Sequence, residues 1–496
     1  MSVPETVLEL LRLSPGHVKS VAYDTAWVAL LGDHAPDIAY PALQWLCAHQ
    51  LPDGGWGAPF PAYYHDRLVS TLAAMIALAR CGRRGTDRLQ VDAGMRALES
   101  LVNGATTGLY LDANGATVGF EVLMPFLLSE GELLGLVSPR SKEYILRETA
   151  PARDAKMAAA GGRLIDRHLT LAFSSELAGW EDWESWLDAR NLREEDGSVA
   201  HSPSATAFFA WAVKPGDKRA LAYLRQTVLP DGGFPIARPF EIYETAWVLW
   251  NLALLPGVSE TEEYQQHLQV LRQAWRPGQG VGFSGTYSVP DGDDTAIVAT
   301  LLARQGERDP HVFSHYAEKD HFRCYPLEIH TSTSTNVHFL GALRESGYPL
   351  EDTYVQRILH FLNARRQAGT HWTDKWHVSA YYTTAHAIIT CLGYVEDLAR
   401  PSVTWMLSTQ REDGGWGYFG TSTAEETAYC LQALSLWRRA HKEDIPPATL
   451  RRGADWLRDH AAPPYPPLWI AKSLYVSEWV ARAEIASALA LVEEAV

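Results

Sequence analysis

Several things are scarce in this sequence, and each shortage closes off a class of protein. Cysteine is one: five in 496 residues (Cys47, Cys81, Cys324, Cys391, Cys430), odd in number, scattered and mostly in apolar helical surroundings. They read as reduced core residues rather than a disulfide framework. Positive charge is another, with 43 Lys and Arg against 59 Asp and Glu, a net charge of −16. A nucleic-acid partner needs the opposite balance, because such binding rests on neutralised phosphates. An anionic small molecule stays open, since a divalent cation can bridge two negative partners. No uninterrupted apolar run reaches the length of a bilayer span. The start, "MSVPETVLELLRLSPG", lacks the basic beginning and apolar core of a secretion signal. A cytoplasmic protein without stable membrane insertion is expected. Strand signals are sparse throughout.

Large rings, by contrast, are plentiful: 18 Trp and 21 Tyr. They suit packed helical cores or a pocket walled by aromatic faces. The chain also repeats. Tyr23-Asp24-Thr25-Ala26, Tyr243-Glu244-Thr245-Ala246, Asp293-Asp294-Thr295-Ala296 and Glu425-Glu426-Thr427-Ala428 each precede an apolar run, and looser echoes surround Thr71, Thr117, Thr170, Thr206, Thr335 and Thr384. Successive Thr positions lie about 45 residues apart, which suits one helix–turn–helix unit per repeat. A small or acidic residue followed by Thr is a good helix start. Between units stand Gln50…Asp53-Gly54-Gly55-Trp56, Gln226…Asp231-Gly232-Gly233-Phe234 and Gln410…Asp413-Gly414-Gly415-Trp416. Gly pairs end helices, and an aromatic can then pack back over the turn. Ten or eleven such hairpins predict an all-α protein of two α-barrels. An open superhelix is the structural alternative, but its concave face would leave these apolar inner helices in water.

What repeats is scaffold, so chemistry is sought in what does not. The acid directly before Thr-Ala recurs (Asp24, Glu244, Asp294, Glu426), and its default role is helix capping. Asp291 and Asp293 are surplus to the pattern. Three carboxylates crowded at an apolar helix mouth raise one another's pKa, and desolvation pushes the same way. One of them staying protonated at neutral pH would suit a general acid. An alkene is a very weak base, so its protonation also needs a partner for the acid's other oxygen and a dry, aromatic cavity in which a carbocation survives.

At this point a resemblance enters. Asp291-Gly292-Asp293-Asp294-Thr295-Ala296 resembles the Asp-x-Asp-Asp-Thr-Ala (DXDD) motif of class II terpene cyclases, and the aromatic–Gly loops resemble their Gln-Trp (QW) motifs. "AYDTAWVA" (Ala22 to Ala29), "TVGFEV" (Thr117 to Val122), "DGSVAHSPSATAF" (Asp196 to Phe208) and "DKWH" (Asp374 to His377) are similar to diterpene cyclases in particular, the bacterial makers of copalyl, halimadienyl or kolavenyl diphosphate. The resemblance implies a βγ pair of α-barrels: residues 1–17 as the first helix of β, 18–213 as an inserted γ barrel, and 214–496 as the rest of β. It implies Asp293 as the acid, Asp291 and Asp294 as its tuning partners, and Asn336 as the hydrogen-bond donor that holds it. Lys156, Lys375 and Lys472 are the implied candidates for a diphosphate group. Magnesium is the implied cofactor, with Asp112 and Glu121 as what remains of its acidic cluster. Tyr381, Tyr382, Trp376 and Phe283 are pocket aromatics on this reading or else core. His338 and His386, on inner helices, either line the pocket and orient a water or pack the core. "REEDGS" (Arg193 to Ser198) reads as a solvated turn, and "EDWESWLD" (Glu181 to Asp188) as an amphipathic helix.

The implied reaction starts with protonation of geranylgeranyl diphosphate by Asp293. Two ring closures and proton loss, or hydride and methyl shifts, would follow with the diphosphate retained. No Asp-Asp-x-x-Asp sequence of the ionising kind is present. A class I terpene synthase or a phosphatase would then use the product. A squalene-hopene-type triterpene cyclase is the alternative, though such enzymes are longer and carry an apolar membrane-dipping element. A zinc prenyltransferase would need Asp two residues before a cysteine, which none of the five has. A toroidal binding module leaves Asp291 and Asp293 unexplained.

Overall fold

The computed structural model describes residues 3–108, 115–442 and 444–496, with side chains for all but 103–108. It is all-α apart from one hairpin of two-residue strands, Trp469–Ile470 against Leu474–Tyr475.

Six helices close a ring in the C-terminal part: Glu241–Leu252, Gly292–Arg304, Thr333–Glu345, Ala380–Cys391, Ala424–Ala440 and Glu478–Ala495. Each packs on the next, and the last returns to the first. Apolar residues surround these helices, and the structure buries them accordingly: every residue from Gly292 to Ala303 and from Ala380 to Cys391 is buried. The helices outside them are amphipathic. Glu262–Ala274, Thr353–Arg365, Glu396–Ser408 and Pro447–Asp459 each bury one face against the ring. The first helix of the chain, Glu5–Leu11, packs on Glu478–Ala495 and Glu262–Ala274.

A smaller ring precedes it, made of Ala22–Ala29, Tyr64–Cys81, Phe120–Leu133, the 3-10 stretch Thr170–Ala178 and Pro203–Phe208. Lys218–Thr227 packs on Pro203–Phe208, and the loop at Asp231–Phe234 is fastened to Ser20, Thr25 and Trp45. Residues 218–234 thus belong by contact to the N-terminal ring, beyond the expected division at 213/214.

Six of the ten repeated threonines share one job. Thr71, Thr206, Thr25, Thr295, Thr384 and Thr427 each accept the backbone N–H of the loop before or beside their helix, from Trp56, Val199, Phe234, Val281, Trp372 and Trp416 at 2.9–3.1 Å. Buried loop N–H groups need such partners, and losing one costs about 1–3 kcal/mol. The aromatic after each Gly pair then packs in the core; Trp56 and Trp416 are fully buried and donate their indole N–H to Leu46 and Met406 carbonyls. Both glycines are required. Gly54, Gly232 and Gly414 have φ of +92°, +85° and +99°, and a Cβ on Gly55, Gly233 or Gly415 would lie 2.6–2.9 Å from a neighbouring side chain.

Candidate active site

Between the two rings lies a cavity of about 610 Å³, within the usual range for small-molecule sites. Its walls are aromatic: Phe173, Phe240, Tyr243, Trp247, Phe283, Tyr287, Tyr325, Trp376, Trp469 and Tyr475 all face it. Asp291, Asp293 and Asp294 stand in one wall; Glu121, Lys156, Glu328, His330, Arg365 and Lys375 line it as well.

Asp291 is the N-cap of the Gly292–Arg304 helix, its Oδ1 accepting the Asp294 N–H at 2.8 Å. Its other oxygen has no protein partner, and neither does Oδ1 of Asp294. Burial pushes Asp291 up to about 7 and Asp294 well above the usual carboxylate range, and the neighbouring charges add to both shifts. Asp293 is held differently. His338 Nδ1 lies 2.6 Å from its Oδ1, and the Ser334 hydroxyl lies 3.4 Å from its Oδ2. Behind it, His338 Nε2 is 2.8 Å from Nδ1 of His386, whose imidazole burial keeps neutral by lowering its pKa well below the ordinary value. A single carboxyl thus has one oxygen tethered to an imidazole and the other in only a long contact with the Ser334 hydroxyl.

Asn336 does not hold the acid. Its amide grips Phe322, accepting the N–H at 2.8 Å and donating to the carbonyl at 3.0 Å, and donates also to Ser332. The cause is helical geometry. Residues two apart on a helix point about 200° from each other, so Asn336 and His338 cannot both face Asp293. Ser334 and His338, four apart, can. The repeat register of this unit also runs through Asn336, which does the work of the threonine clasp elsewhere; the Thr335 hydroxyl has no protein partner. The spacing Ser334–His338 was the available signal.

Of the three candidate lysines, two line the cavity. Lys156 pairs with Glu121; Lys375 pairs with Glu328 and donates to the His330 carbonyl at 2.7 Å. Lys472 does not line it. It is fully buried and bound to Glu176, Ser202 and Ser204, so it is not available to a ligand. Phe283 and Trp376 face the cavity. Tyr381 instead stacks on Trp405 at 4.9 Å, in the outer layer, and Tyr382 lies behind Trp469 with its hydroxyl accepting from the Trp247 indole at 3.3 Å. His338 backs the acid rather than lining the cavity. Asp374 of "DKWH" caps the Thr333–Glu345 helix, accepting from Ser332, Thr333 and Ser334. The residues implied for magnesium form no donor set. Asp112 falls outside the described residues, Glu121 is engaged by Lys156, and no three His, Cys, Asp or Glu groups come together for a metal among the described residues.

Comparison with known proteins bears on this cavity. The chain is 46% identical over 503 residues to the type B diterpene cyclase of Mycobacterium tuberculosis, covering 100% of this chain and 99% of that protein. The chain belongs to the class II diterpene cyclases. It is also 30% identical to the (+)-kolavenyl diphosphate synthase of Herpetosiphon aurantiacus, covering 96% of this chain and 94% of that one. Among solved structures, the ent-copalyl diphosphate synthase from Streptomyces platensis matches with a TM-score of 0.78 at 28% identity, covering 99% and 98% of the two chains. The model of the squalene-hopene cyclase C-terminal domain matches only residues 327–463, a distant family link. No helix of the described residues is long and apolar enough to cross a membrane.

Proposed function

We propose that this cyclase binds geranylgeranyl diphosphate along the cavity between the rings and converts it to a bicyclic diphosphate. The diphosphate would sit at Lys156, Lys375 and Arg365, and the terminal alkene at Asp293. The observation that carries the reading is the Asp293–His338 contact of 2.6 Å in the wall of an aromatic cavity that also presents Lys156 and Lys375.

Asp293 gives its proton to the CH carbon of the terminal alkene, the dimethyl-bearing carbon beside it becomes the tertiary cation, and the π electrons of successive double bonds close two rings. His338 holds the other carboxyl oxygen, which stabilises the carboxylate left behind. Burial favours the neutral forms of Asp291 and Asp294, which limits the negative charge around Asp293. Trp247, Trp469 and Tyr243 line the cavity, and a ring face turned to the cation is worth about 0.5–2 kcal/mol. Loss of a proton from the cation, directly or after hydride and methyl shifts, ends the reaction. The C–O bond to the diphosphate is untouched, leaving a substrate for a class I terpene synthase or a phosphatase. No step is assigned to magnesium; a requirement for it would concern the charge of the diphosphate. The contacts of the 218–234 segment support a division of the chain into rings at residues 1–17 with about 235–496, and 18 to about 235.

The test is Asp293→Asn. Turnover of geranylgeranyl diphosphate should vanish while the circular dichroism spectrum and substrate binding persist. Retained turnover removes Asp293 from the role of acid.

A further inference from the structure

Lys472 is too well bound to be an accident of packing and too well hidden to touch a substrate. It sits at the tip of the Trp469–Tyr475 hairpin, which leaves the C-terminal ring and enters the mouth of the N-terminal one. Its ammonium donates to Glu176 Oε1 at 2.7 Å, Ser202 Oγ at 2.8 Å and Ser204 Oγ at 2.5 Å, and lies 4.6 Å from the Phe173 ring centroid. Both charges are fully buried. Three protons and three acceptors leave the ammonium nothing further to give, and parting such a pair would strand a buried charge.

The rest of the hairpin is stitched to both rings. Ala471 accepts from Val118 at 2.8 Å and Leu474 donates to Asp66 at 3.0 Å, both in the N-terminal part; Leu468 accepts from Val378 and Ile470 donates to the Trp376 carbonyl on the other side. Between these fastenings the hairpin gives four residues to the cavity wall, Trp469, Ile470, Ala471 and Tyr475. Trp469 leans on Tyr243 and Trp247, which line the cavity too.

We propose that Lys472 is a positioning residue for cyclisation: by locking the hairpin tip into the N-terminal ring, it holds Trp469 and Tyr475 against the folded substrate. The proposal rests on the reading that this cavity is the reaction site. A cation formed there has several fates, and the walls select among them. A displaced wall lets another C–H bond lose its proton. It can also admit water, whose oxygen bonds to the cation and which then loses a proton, giving a hydroxylated diphosphate in place of an alkene.

The experiment compares Lys472→Met, Glu176→Gln and Gln410→Ala with the unaltered protein. Each is incubated with geranylgeranyl diphosphate, treated with phosphatase, and the alcohols are quantified by mass spectrometry and NMR. Lys472→Met should lose up to about 10²-fold in kcat, the scale of an ångström-sized misplacement, and divert product to other cyclic or hydroxylated alcohols. Glu176→Gln, whose amide oxygen still accepts from Lys472, should shift the pattern the same way but less. Gln410→Ala, which removes the bonds to the Gly414 and Thr449 carbonyls and so loosens a clasp away from the hairpin and the acid, should keep the original pattern. The same diversion in Gln410→Ala, or an unchanged pattern and kcat in both other variants, overturns the proposal. Should Lys472→Met not fold, Glu176→Gln decides alone, and an unchanged pattern overturns it. Asp293→Asn run alongside separates the two readings: its retained activity defeats the acid site, whereas its inactivity beside unchanged Lys472 and Glu176 variants defeats only the positioning role.

Discussion

Two inner helices of the C-terminal ring begin with the same pattern, acid-acid-Thr-Ala, and do different things with it. Thr295 and Thr427 act alike, accepting N–H bonds from Val281 and Trp416 at 2.9 and 3.0 Å. The acids before them diverge. Glu426 is sealed, taking the Tyr418 N–H at 2.8 Å and the Thr423 hydroxyl at 2.7 Å, whereas Oδ1 of Asp294 has no protein partner and its residue lines the cavity. One position earlier, Glu425 and Asp293 each meet an imidazole, His377 at 3.0 Å and His338 at 2.6 Å. Glu425 is 1% exposed, with no place in the cavity wall; Asp293 reaches the cavity. An acid beside a histidine is therefore not itself a catalytic signature. Access to a ligand-sized space is what would make the same scaffold motif a proton donor.

The strongest break in this comparison comes from amide substitution at both units. Asp293→Asn should lower kcat by about 10³-fold or more with little change in thermal midpoint, toward the upper range of what a general acid supplies. Glu426→Gln should do the reverse, weakening bonds to the Tyr418 loop and costing about 1–3 kcal/mol of stability by denaturant titration while the variant that folds still cyclises. His338→Ala comes next. Removing the tether of Oδ1 should cost about 10²-fold in kcat and leave KM nearly unchanged, as measured by steady-state kinetics. Lys375→Met should act on the other side of the split, raising KM by about tenfold, the loss of one charge-assisted contact.

The smallest effects concern pH. Burial raises Asp24 and Asp66 to about 6 and Asp291 to about 7, so the folded protein holds these protons more tightly than the unfolded chain. Their contribution to stability is complete below about pH 4 and is lost as pH rises through about 6 to 7, so calorimetry should find the thermal midpoint falling across that interval. Ionisation of Asp291 also adds negative charge beside Asp293, so kcat should decline above about pH 7. Asp291→Asn keeps an N-cap oxygen for Asp294 and should flatten that alkaline limb.

Much of the scaffold was legible in the sequence because it is periodic. The Thr spacing gave the hairpin repeat, the Gly pairs gave the clasped loops, and apolar-all-round helices implied closed rings. Asp291 and Asp293 stood out because they break the repeat. The failures share one cause, which is that a linear pattern does not say which way a side chain points. Asn336 and His338 lie two residues apart on one helix and face opposite ways. Tyr381 and Tyr382 look alike, yet one turns to the outer layer and the other lies behind the cavity wall. Lys472 resembles a surface lysine until Glu176, nearly three hundred residues earlier, is brought beside it.

The central claim is that turnover begins with a proton from Asp293. Incubation of the protein with geranylgeranyl diphosphate in deuterium oxide, followed by phosphatase and mass spectrometry, tests it most directly. The account predicts a bicyclic alcohol carrying one deuterium in the ring CH2 formed from the CH carbon of the protonated alkene, and no such product from Asp293→Asn. A cyclic product without deuterium, or a labelled one from Asp293→Asn, would contradict it.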